Sequence, residues 1–243
     1  MKDTLTIALS KGKLLEPAID LFKRVGLAPK DISPESRRLI FEHPASGTTL
    51  MIVRPSDDPT YVEYGVVDAG VVGADILMEQ ATDVFEPLDL GFGSCRLAVA
   101  APQPERGSRP VARGRATGSP TSPLRKPQAR AGDVPSGRHA TRLRVATKYP
   151  NMTERHFTQK GIPIEIIKLY GSVELAPLVG LADLIVDLVS TGKTLSAHNL
   201  VVTDVIAECT ARLIVNRASL KLKYRRMNDL IEALRAGLQG GRS

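Results

Sequence analysis

The stretch that most constrains this chain, residues 181–195, is an apolar run that ends in a loop of small and hydroxyl residues. The run Leu181-Ala182-Asp183-Leu184-Ile185-Val186 is typical of a strand buried within a sheet. The loop that follows reads Asp187-Leu188-Val189-Ser190-Thr191-Gly192-Lys193-Thr194-Leu195. Gly192 permits a tight turn and a close backbone approach to a ligand, and successive N–H groups in such a turn form a concave anion site. The stretch therefore predicts a strand followed by an anion-binding loop.

The side chains of this loop narrow the choice of ligand. Ser190, Thr191 and Thr194 add hydroxyl donors, and Asp187 ends the strand with a carboxylate directed at the same place. A carboxylate repels phosphate, so it suits sugar hydroxyls or a metal ion instead. A phosphate cradle beside a carboxylate is what a ribose 5-phosphate requires.

The sequence of this loop allows two other interpretations. The triplet Gly192-Lys193-Thr194 is part of the Walker A pattern, but that pattern requires a glycine where this chain has Asp187. The Walker interpretation is therefore excluded. An ordinary strand-to-helix turn that happens to contain Ser-Thr-Gly remains open from the spacing alone.

The composition is that of an ordinary globular protein, with 42% hydrophobic and 24% charged residues. No apolar run reaches the length of a membrane span, and Lys2 and Asp3 lead into a short strand-like run instead of a signal peptide. Cys95, Cys209 and the four histidines show neither a disulfide framework nor metal-ligand spacing. These observations predict a cytoplasmic protein that does not interact with a membrane.

The net charge of +7 lies entirely in one segment. Residues 103–142 hold nine Lys or Arg against two Asp or Glu, together with six prolines and five glycines. Such a segment has too few large apolar residues to offset the entropy of ordering it. We predict that it is disordered or aberrant. A polybasic nucleic-acid-binding arm is the alternative, which we disfavour because the rest of the chain is neutral.

Apolar runs of strand length alternate with helix-patterned segments in the rest of the chain, which predicts an α/β fold. Ser10-Lys11-Gly12-Lys13 follows the first strand, as a loop presenting cations either to phosphates or to solvent. Arg54 directly follows another strand, at the end where ligands gather in open α/β sheets. Asp75 is either a helix cap or a ligand contact.

Several short sequence segments follow one another along the chain, and each of them alone would be weak evidence for a family. They are Ser10-Lys11-Gly12-Lys13-Leu14, Arg54-Pro55-Ser56-Asp57, Asp89-Leu90-Gly91-Phe92-Gly93-Ser94-Cys95-Arg96, Ala146-Thr147-Lys148-Tyr149-Pro150, Tyr170-Gly171-Ser172-Val173-Glu174 and the loop at Asp187–Leu195. The set resembles the sequence blocks of the ATP phosphoribosyltransferases, and the loop resembles their phosphoribosyl-pyrophosphate (PRPP) loop. The resemblance covers residues 3–101 and 143–235, and residues 103–142 depart from it.

The resemblance implies a glycosyltransferase that joins ATP and PRPP to give phosphoribosyl-ATP and pyrophosphate, the first step of histidine biosynthesis. It implies two domains of the periplasmic-binding-protein type II-like architecture, with mixed sheets flanked by helices. The first domain would comprise 1–93 and 217–243, and the second 94–216. The chain length is that of the family's short form.

The resemblance also implies roles for individual residues. PRPP would be bound by Asp187, Leu188, Val189, Ser190, Thr191, Gly192 and Thr194. Glu174 and Asp187 would act in catalysis by binding the ribose hydroxyls, directly or through Mg²⁺. ATP would be bound by Lys11, Lys13, Arg54 and Asp75. Lys148 would be a further cation, without an assignment to either substrate. The family usually has arginine at Lys13, and lysine keeps the charge but lacks the two-pronged guanidinium.

Short forms work with a regulatory subunit that resembles histidyl-tRNA synthetase, so we expect a homodimer within a hetero-oligomer. We expect ATP and PRPP as substrates, and no nucleic acid as a partner. The sequence leaves open a small-ligand-binding module of the same fold, or a family member inactivated by its altered segment 103–142.

Overall fold

The computed structural model describes residues 4–103 and 142–240. The strands are β1 (Leu5–Ser10), β2 (Ile40–His43), β3 (Thr48–Val53), β4 (Ala69–Gly73), β5 (Phe85–Asp89), β6 (Cys95–Pro102), β7 (Leu143–Thr147), β8 (Ile164–Lys168), β9 (Leu184–Val189), β10 (Leu200–Cys209) and β11 (Ala211–Val215). The helices are α1 (Leu15–Arg24), α2 (Asp58–Glu63), α3 (Ala74–Gln80), α4 (Pro150–Gln159), α5 (Leu175–Leu178), α6 (Lys193–Ala197), α7 (Arg217–Leu222) and α8 (Tyr224–Gln239). The prediction of disorder or aberration for 103–142 falls outside the described residues, except at Gln103 and Arg142.

The first of two units, Met1–Arg96 with Ala207–Ser243, is built on a six-stranded sheet in the order β2-β3-β1-β4-β11-β5. Strands β3, β1 and β4 run parallel, whereas β2 and β11 are antiparallel to their neighbours. The three parallel strands occupy the middle of the sheet, and all five residues of β4 are buried. A strand covered on both faces must be free of charged and large polar residues, which is why β4 consists of Ala, Gly and Val alone.

Two helices cover one face of this sheet with apolar stripes. In α1 the buried residues Leu15, Ala18, Ile19 and Phe22 recur at helical spacing and join the strands in one core cluster. The C-terminal helix α8 adds Met227, Leu230, Ile231 and Leu234 to the same cluster. This core fixes the sheet that carries the first group of candidate residues.

The second unit, Leu97–Ile206, contains a five-stranded sheet in the order β10-β6-β9-β7-β8. Strand β7 is parallel to both β8 and β9. Its core includes Ala146, Ile185, Val189, Leu195 and Leu200. Ile185 and Val189 come from β9 and Leu195 from α6, so the predicted anion loop is anchored in the core at both ends.

The α/β class with mixed sheets flanked by helices is confirmed. One strand was misassigned. The predicted second domain, 94–216, included the strand Ala211–Val215, but β11 pairs with β4 and β5 in the sheet of the first unit. None of the described helices is long and apolar enough to cross a membrane.

Candidate active site

The second sheet brings three chain turns to one edge. The register pairs Thr147 with Lys168 and with Val186, so β7 and β8 end side by side, and β9 runs three residues past them to Val189. Asp187 therefore lies within the strand, and not at its end as the sequence predicted. Lys148 follows β7 directly, and Asp187 is the next residue of β9 after Val186. Glu174 lies beyond β8, at the N-cap position of α5. The residues singled out by sequence therefore come from three neighbouring strands.

The electrostatics of Asp187 show that these groups interact. Burial raises the pKa of the Asp187 carboxyl, and the negative charge of Glu174 raises it further. A hydrogen bond of 2.8 Å from the backbone N–H of Leu188 to Oδ1, together with the positive charge of Lys148, opposes that rise. Two carboxylates and one cation thus share one edge of the sheet.

A buried threonine pair, which the sequence analysis did not single out, supports the turn at Lys148. The Thr147 hydroxyl donates to the carbonyl oxygen of Val186 at 2.8 Å and accepts from the N–H of Tyr149 at 2.9 Å. The Thr153 hydroxyl donates to the Tyr149 carbonyl oxygen at 2.7 Å. Thr147 and Thr153 have no exposed surface. They tie the end of β7 to β9 and fix the backbone of the turn that carries Lys148.

The predicted anion loop is formed as a tight turn. Gly192 occupies the N-cap position of α6 with φ of 75°, in the left-handed region that only glycine enters without cost. The Ser196 N–H and hydroxyl both donate to the Gly192 carbonyl oxygen, at 3.0 and 3.1 Å. Of the hydroxyl residues proposed as donors, Ser190, Thr191 and Thr194 are all exposed.

The remaining loop residues take different positions. Leu188 is half-buried, and Val189 is buried in the core of the second unit. The Val189 side chain is therefore committed to packing, so that only its backbone groups are available to a ligand.

The first sheet gathers the second group of candidates in the same way. Ser10 pairs with Val53, and the N–H of Lys11 donates to the Val53 carbonyl oxygen at 2.8 Å. Arg54 is the next residue after Val53, so Lys11 and Arg54 leave neighbouring strands side by side. Both side chains are exposed.

Asp75 joins this edge from the third parallel strand. Leu9 pairs with Val71 of β4, which ends at Gly73, and Asp75 follows in the first turn of α3. Asp75 is not the helix cap, because Gly73 holds that position. Its side chain is only 7% exposed and lies against Gly73 so closely that a Cβ on Gly73 would overlap Asp75 Oδ1. Both Asp75 and Lys13 act electrostatically on Cys95, so these three groups lie in one neighbourhood.

A buried carboxyl group beneath this edge was missed by the sequence analysis. Asp58, the first residue of α2, has no exposed surface, and its Oδ2 accepts a hydrogen bond of 2.9 Å from the hydroxyl of Ser10. Its Oδ1 has no hydrogen-bond partner. Burial raises the pKa of Asp58 to about 8, against the hydrogen bond from Ser10, which lowers it. The sequence at Asp58 carries no signal of this burial, because the residues that lie against its carboxyl group, Gly70 of β4 and Ser10 of β1, are distant in the chain.

No group of three or more His, Cys, Asp or Glu side chains that could hold a metal ion occurs within residues 4–103 and 142–240. Glu174 and Asp187 supply two interacting carboxylates at one edge. That set fits Mg²⁺, which proteins hold through one or two carboxylates while water and substrate phosphates complete its coordination.

Solved structures with the same architecture define the class of the fold. The aliphatic sulphonate binding protein SsuA of Escherichia coli, a periplasmic protein, superposes with a TM-score of 0.55 at 12% identity, over 98% of this chain and 73% of that chain. The ATP phosphoribosyl transferase (HisG:HisZ) complex from Thermotoga maritima matches with a TM-score of 0.76 at 30% identity, over 99% of this chain and 100% of that chain. The periplasmic-binding-protein-like fold is thereby confirmed.

Sequence comparison then gives the family. A family model described as HisG, ATP phosphoribosyltransferase, matches residues 54–236. "ATP phosphoribosyltransferase 2" of Geobacter sulfurreducens is 50% identical over 234 residues, which cover 96% of this chain and 98% of that protein. The relative from Caldanaerobacter subterraneus is 44% identical over 239 residues, 98% of this chain and 100% of that protein. The chain belongs to the ATP phosphoribosyltransferase family, as its sequence blocks indicate.

Membership of this family establishes the activity of the chain. The reaction is the transfer of the phosphoribosyl group of PRPP to ATP, the first step of histidine biosynthesis, and the enzyme class is glycosyltransferase.

Proposed function

We propose that the carboxyl edge of β7, β8 and β9 is the PRPP site of this enzyme. The observation that carries the proposal is the interaction of Asp187 with Glu174 and Lys148 beside the turn at Gly192. Backbone N–H groups of the turn from Asp187 to Thr194 and the hydroxyls of Ser190, Thr191 and Thr194 would bind the 5-phosphate. Glu174 and Asp187 would bind the ribose hydroxyls, and Lys148 would face the pyrophosphate.

Mg²⁺ is the cofactor that this arrangement fits. Burial and the charge of Glu174 both disfavour the ionised form of Asp187. A cation beside the two carboxylates would therefore lower the free energy of ionising Asp187. Bound there with PRPP, Mg²⁺ supplies charge neutralisation for the departing pyrophosphate. Asp187 and Glu174 are the residues that would hold it.

The carboxyl edge of β3, β1 and β4 is the site we propose for ATP. Lys11, Lys13 and Arg54 would contact its phosphates, and Asp75 would bind a hydrogen-bond donor of the nucleoside. Lys11 and Arg54 leave adjacent strands, joined by the 2.8 Å bond from Lys11 N to Val53 O. This places two cations where parallel strands end, the usual position for ligands in such sheets.

The reaction requires the protein to position the two substrates and to stabilise the charges that develop on them. It does not require a covalent bond between protein and substrate. The adenine N1 of ATP attacks C1 of the ribose while pyrophosphate leaves, so positive charge develops on the sugar and negative charge on the leaving group. Asp187 and Glu174 would orient the ribose and stabilise the positive charge, and Lys148 would stabilise the negative charge. No side chain needs to act as a nucleophile.

A separate regulatory subunit is part of the proposal. The Thermotoga maritima structure that this chain resembles is a HisG:HisZ complex. We propose that this chain likewise works in the cytoplasm as a homodimer within a hetero-oligomer, with a partner resembling histidyl-tRNA synthetase.

The first experiment compares thermal unfolding with and without PRPP and Mg²⁺ for wild type, Asp187→Asn and Glu165→Gln. Ligand that binds the native state raises the melting temperature by mass action, and the measurement does not need the partner. Glu165 is an exposed carboxylate near the start of β8, away from the carboxyl edge. Wild type and Glu165→Gln should be stabilised, and Asp187→Asn should not.

Equal stabilisation of Asp187→Asn would refute the PRPP assignment. Pyrophosphate release from ATP and PRPP, assayed with the partner present, then separates an enzyme from a module that only binds.

A further inference from the structure

The two cysteines of the chain come together at one end of a strand pair. The sheet order places β6 beside β10. The N–H of Gln103, just after β6, donates at 2.8 Å to the carbonyl oxygen of Asn199, just before β10. The two strands therefore run in opposite directions. Cys95 begins β6 and Cys209 ends β10, so both lie at the opposite end of this pair, within the first unit.

The two thiols are in contact. The Cys95 thiol is hydrogen-bonded to that of Cys209. The bond from Gln103 to Asn199, and the 3.3 Å bond from the Thr203 hydroxyl to the Val99 carbonyl oxygen, place Ala207 opposite Cys95. Cys209 is therefore the diagonal neighbour of Cys95, and diagonal Cα atoms lie about 7–8 Å apart, just beyond the roughly 4.4–6.8 Å that a disulfide spans. A bond between the two sulfurs therefore requires a small backbone shift at Cys95.

The two thiols differ in solvent exposure, as expected of a pair in which one thiol reacts with an oxidant first. Cys95 is half-buried and can meet a small oxidant, whereas Cys209 is only 2% exposed. The hydrogen bond with Cys209, assisted by Lys13, lowers the pKa of the Cys95 thiol against the opposing effects of burial and Asp75. A partly exposed thiol with a lowered pKa beside a second thiol has the character of a redox-sensitive cysteine.

We propose that Cys95 and Cys209 form an oxidation site that closes to an intramolecular disulfide, and that this disulfide weakens ATP binding by the first unit. The oxidant is hydrogen peroxide. The Cys95 thiolate attacks one peroxide oxygen, the O–O bond breaks, and the released hydroxide is protonated to water. The Cys209 sulfur then attacks the Cys95 sulfenic acid, the S–O bond breaks, and a second water leaves. Two thiols are oxidised as one peroxide is reduced, and a dithiol reverses the change.

The link to ATP runs through the turn that carries Lys13, and this half of the inference rests on the proposed ATP site. Gly93, two residues before Cys95, lies directly against Leu14, so that a Cβ on Gly93 would overlap Leu14 Cδ2. Leu14 follows Lys13 and is the N-cap residue of α1. Drawing Cys95 toward Cys209 displaces the 93–95 segment from Leu14. A displacement of about 1 Å at a positioning group can lower a reaction rate about a hundredfold, and we expect a shift of this turn to weaken the contact of Lys13 with ATP for the same geometric reason.

The test treats the full-length protein with hydrogen peroxide and maps its peptides by mass spectrometry. Wild type should give a linked Cys95–Cys209 peptide pair, lighter by about two hydrogen masses than the reduced peptides, that dithiothreitol separates again. Cys209→Ala should instead trap Cys95 as a sulfenic acid that reacts with dimedone. Cys95→Ala should leave the buried Cys209 unmodified. A wild type that forms no linked pair, or whose Cys209 reacts before Cys95, would overturn the oxidation site.

ATP binding to the same samples tests the consequence. The disulfide form should bind ATP about tenfold more weakly than the reduced form, with recovery after dithiothreitol. Unchanged ATP affinity in a fully linked sample would overturn the link to ATP. Absence of ATP binding in the reduced protein would count against the proposed ATP site instead, and the linked peptide would still decide the oxidation site.

Discussion

The hydroxyl of Ser10 donates a hydrogen bond of 2.9 Å to the buried carboxyl group of Asp58. Ser10 is the last residue of β1, and Asp58 is the first residue of α2, four residues after Arg54. The bond therefore connects the two chain segments that present Lys11 and Arg54. Because burial raises the pKa of Asp58 to about 8, the carboxyl group is neutral near pH 7, and the contact holds the two segments together without a buried charge.

We expect Asp58→Asn to become progressively more stable than wild type as the pH rises. The pKa of Asp58 is about 8 in the folded protein against 3.8 ordinarily, so the folded state retains a proton that the unfolded state has lost. The stabilisation of wild type by this proton is complete at pH values below the ordinary aspartate pKa. It is lost as the pH rises toward 8, by at most about 1.4 kcal/mol per pH unit. Asparagine does not titrate, so melting curves from about pH 5 to about pH 8 should diverge in its favour.

Asp57→Asn is the matched control for this experiment. Asp57 is the adjacent residue and is exposed. Its substitution should leave the pH dependence of the melting temperature as in wild type. Parallel curves for Asp58→Asn and wild type would show that Asp58 is ionised in the folded protein.

Gly73→Ala should weaken ATP binding without affecting the PRPP site. A Cβ at this position would overlap Asp75 Oδ1, and Asp75 is too buried to move aside freely. The new methyl group therefore displaces the carboxylate from the edge, and we expect the ATP affinity to fall about tenfold. Isothermal titration with ATP measures this loss, and the melting shift caused by PRPP and Mg²⁺ should remain.

A double variant tests whether the overlap is the cause. Removing the carboxylate in Gly73→Ala/Asp75→Ala should recover stability relative to Gly73→Ala, because the overlap is gone. ATP affinity should stay low in that variant. Additive losses of stability from the two changes would contradict the direct overlap.

The sequence was informative wherever function depends on strands that end in a distinctive turn. The apolar runs before Ser10, Arg54 and Asp187 predicted strands, and parallel pairing in each sheet then brought their ends together. Which strands are neighbours is set by long-range packing that short patterns do not contain. For that reason β11 was assigned to the wrong domain, although it was correctly predicted as a strand.

The supporting polar groups could not be predicted for a related reason. Thr147 follows an ordinary strand pattern, and only its contact with Val186 from a distant strand gives it a role. Asp58 beside Pro59 has the pattern of an exposed helix start, yet the parallel strands beneath it seal it from water. Burial of a polar residue depends on what packs over it, and that information lies elsewhere in the chain.

Gly192→Ala should impair PRPP binding by a backbone effect alone. The nearest heavy atom to an added Cβ would be Val189 Cγ1 at 3.9 Å, so there is space for a methyl group. The φ of 75° is the obstacle, because a left-handed conformation costs an alanine about 1–2 kcal/mol. The turn should relax away from this conformation, and the melting shift with PRPP and Mg²⁺ should shrink.

Two glycine controls isolate this cause. Gly171→Ala, where an added Cβ meets nothing within 4 Å and φ is not in the left-handed region, should be neutral. Gly192→Asn should bind PRPP better than Gly192→Ala, since asparagine tolerates the left-handed region. If both Gly192 variants lose the PRPP-induced melting shift to the same extent, the added side chain and not the backbone conformation is the cause.

Asp187→Asn should make the ligand-free protein more stable near neutral pH while abolishing its stabilisation by PRPP and Mg²⁺. Burial and the nearby charge of Glu174 raise the pKa of Asp187, so ionising it costs folding free energy that asparagine avoids. Asparagine also keeps an oxygen for the N–H of Leu188, which bonds Asp187 at 2.8 Å. The advantage should shrink as pH falls toward the ordinary aspartate pKa, because wild type then becomes neutral as well.

Asp183→Asn, four residues earlier in the same segment, should behave in the opposite way. Asp183 is paired with Arg144 at 3.1 Å and accepts the backbone N–H of Arg144 at 2.9 Å, so its charge is matched. Its substitution should lower the melting temperature near neutral pH and leave the PRPP effect intact. Together the two variants separate a carboxylate that stabilises the fold from one that the fold retains at a cost. If the ligand-free Asp187→Asn protein is less stable than wild type, the Asp187 carboxylate stabilises the fold. That result would contradict the proposal that Asp187 is retained for binding Mg²⁺ and PRPP.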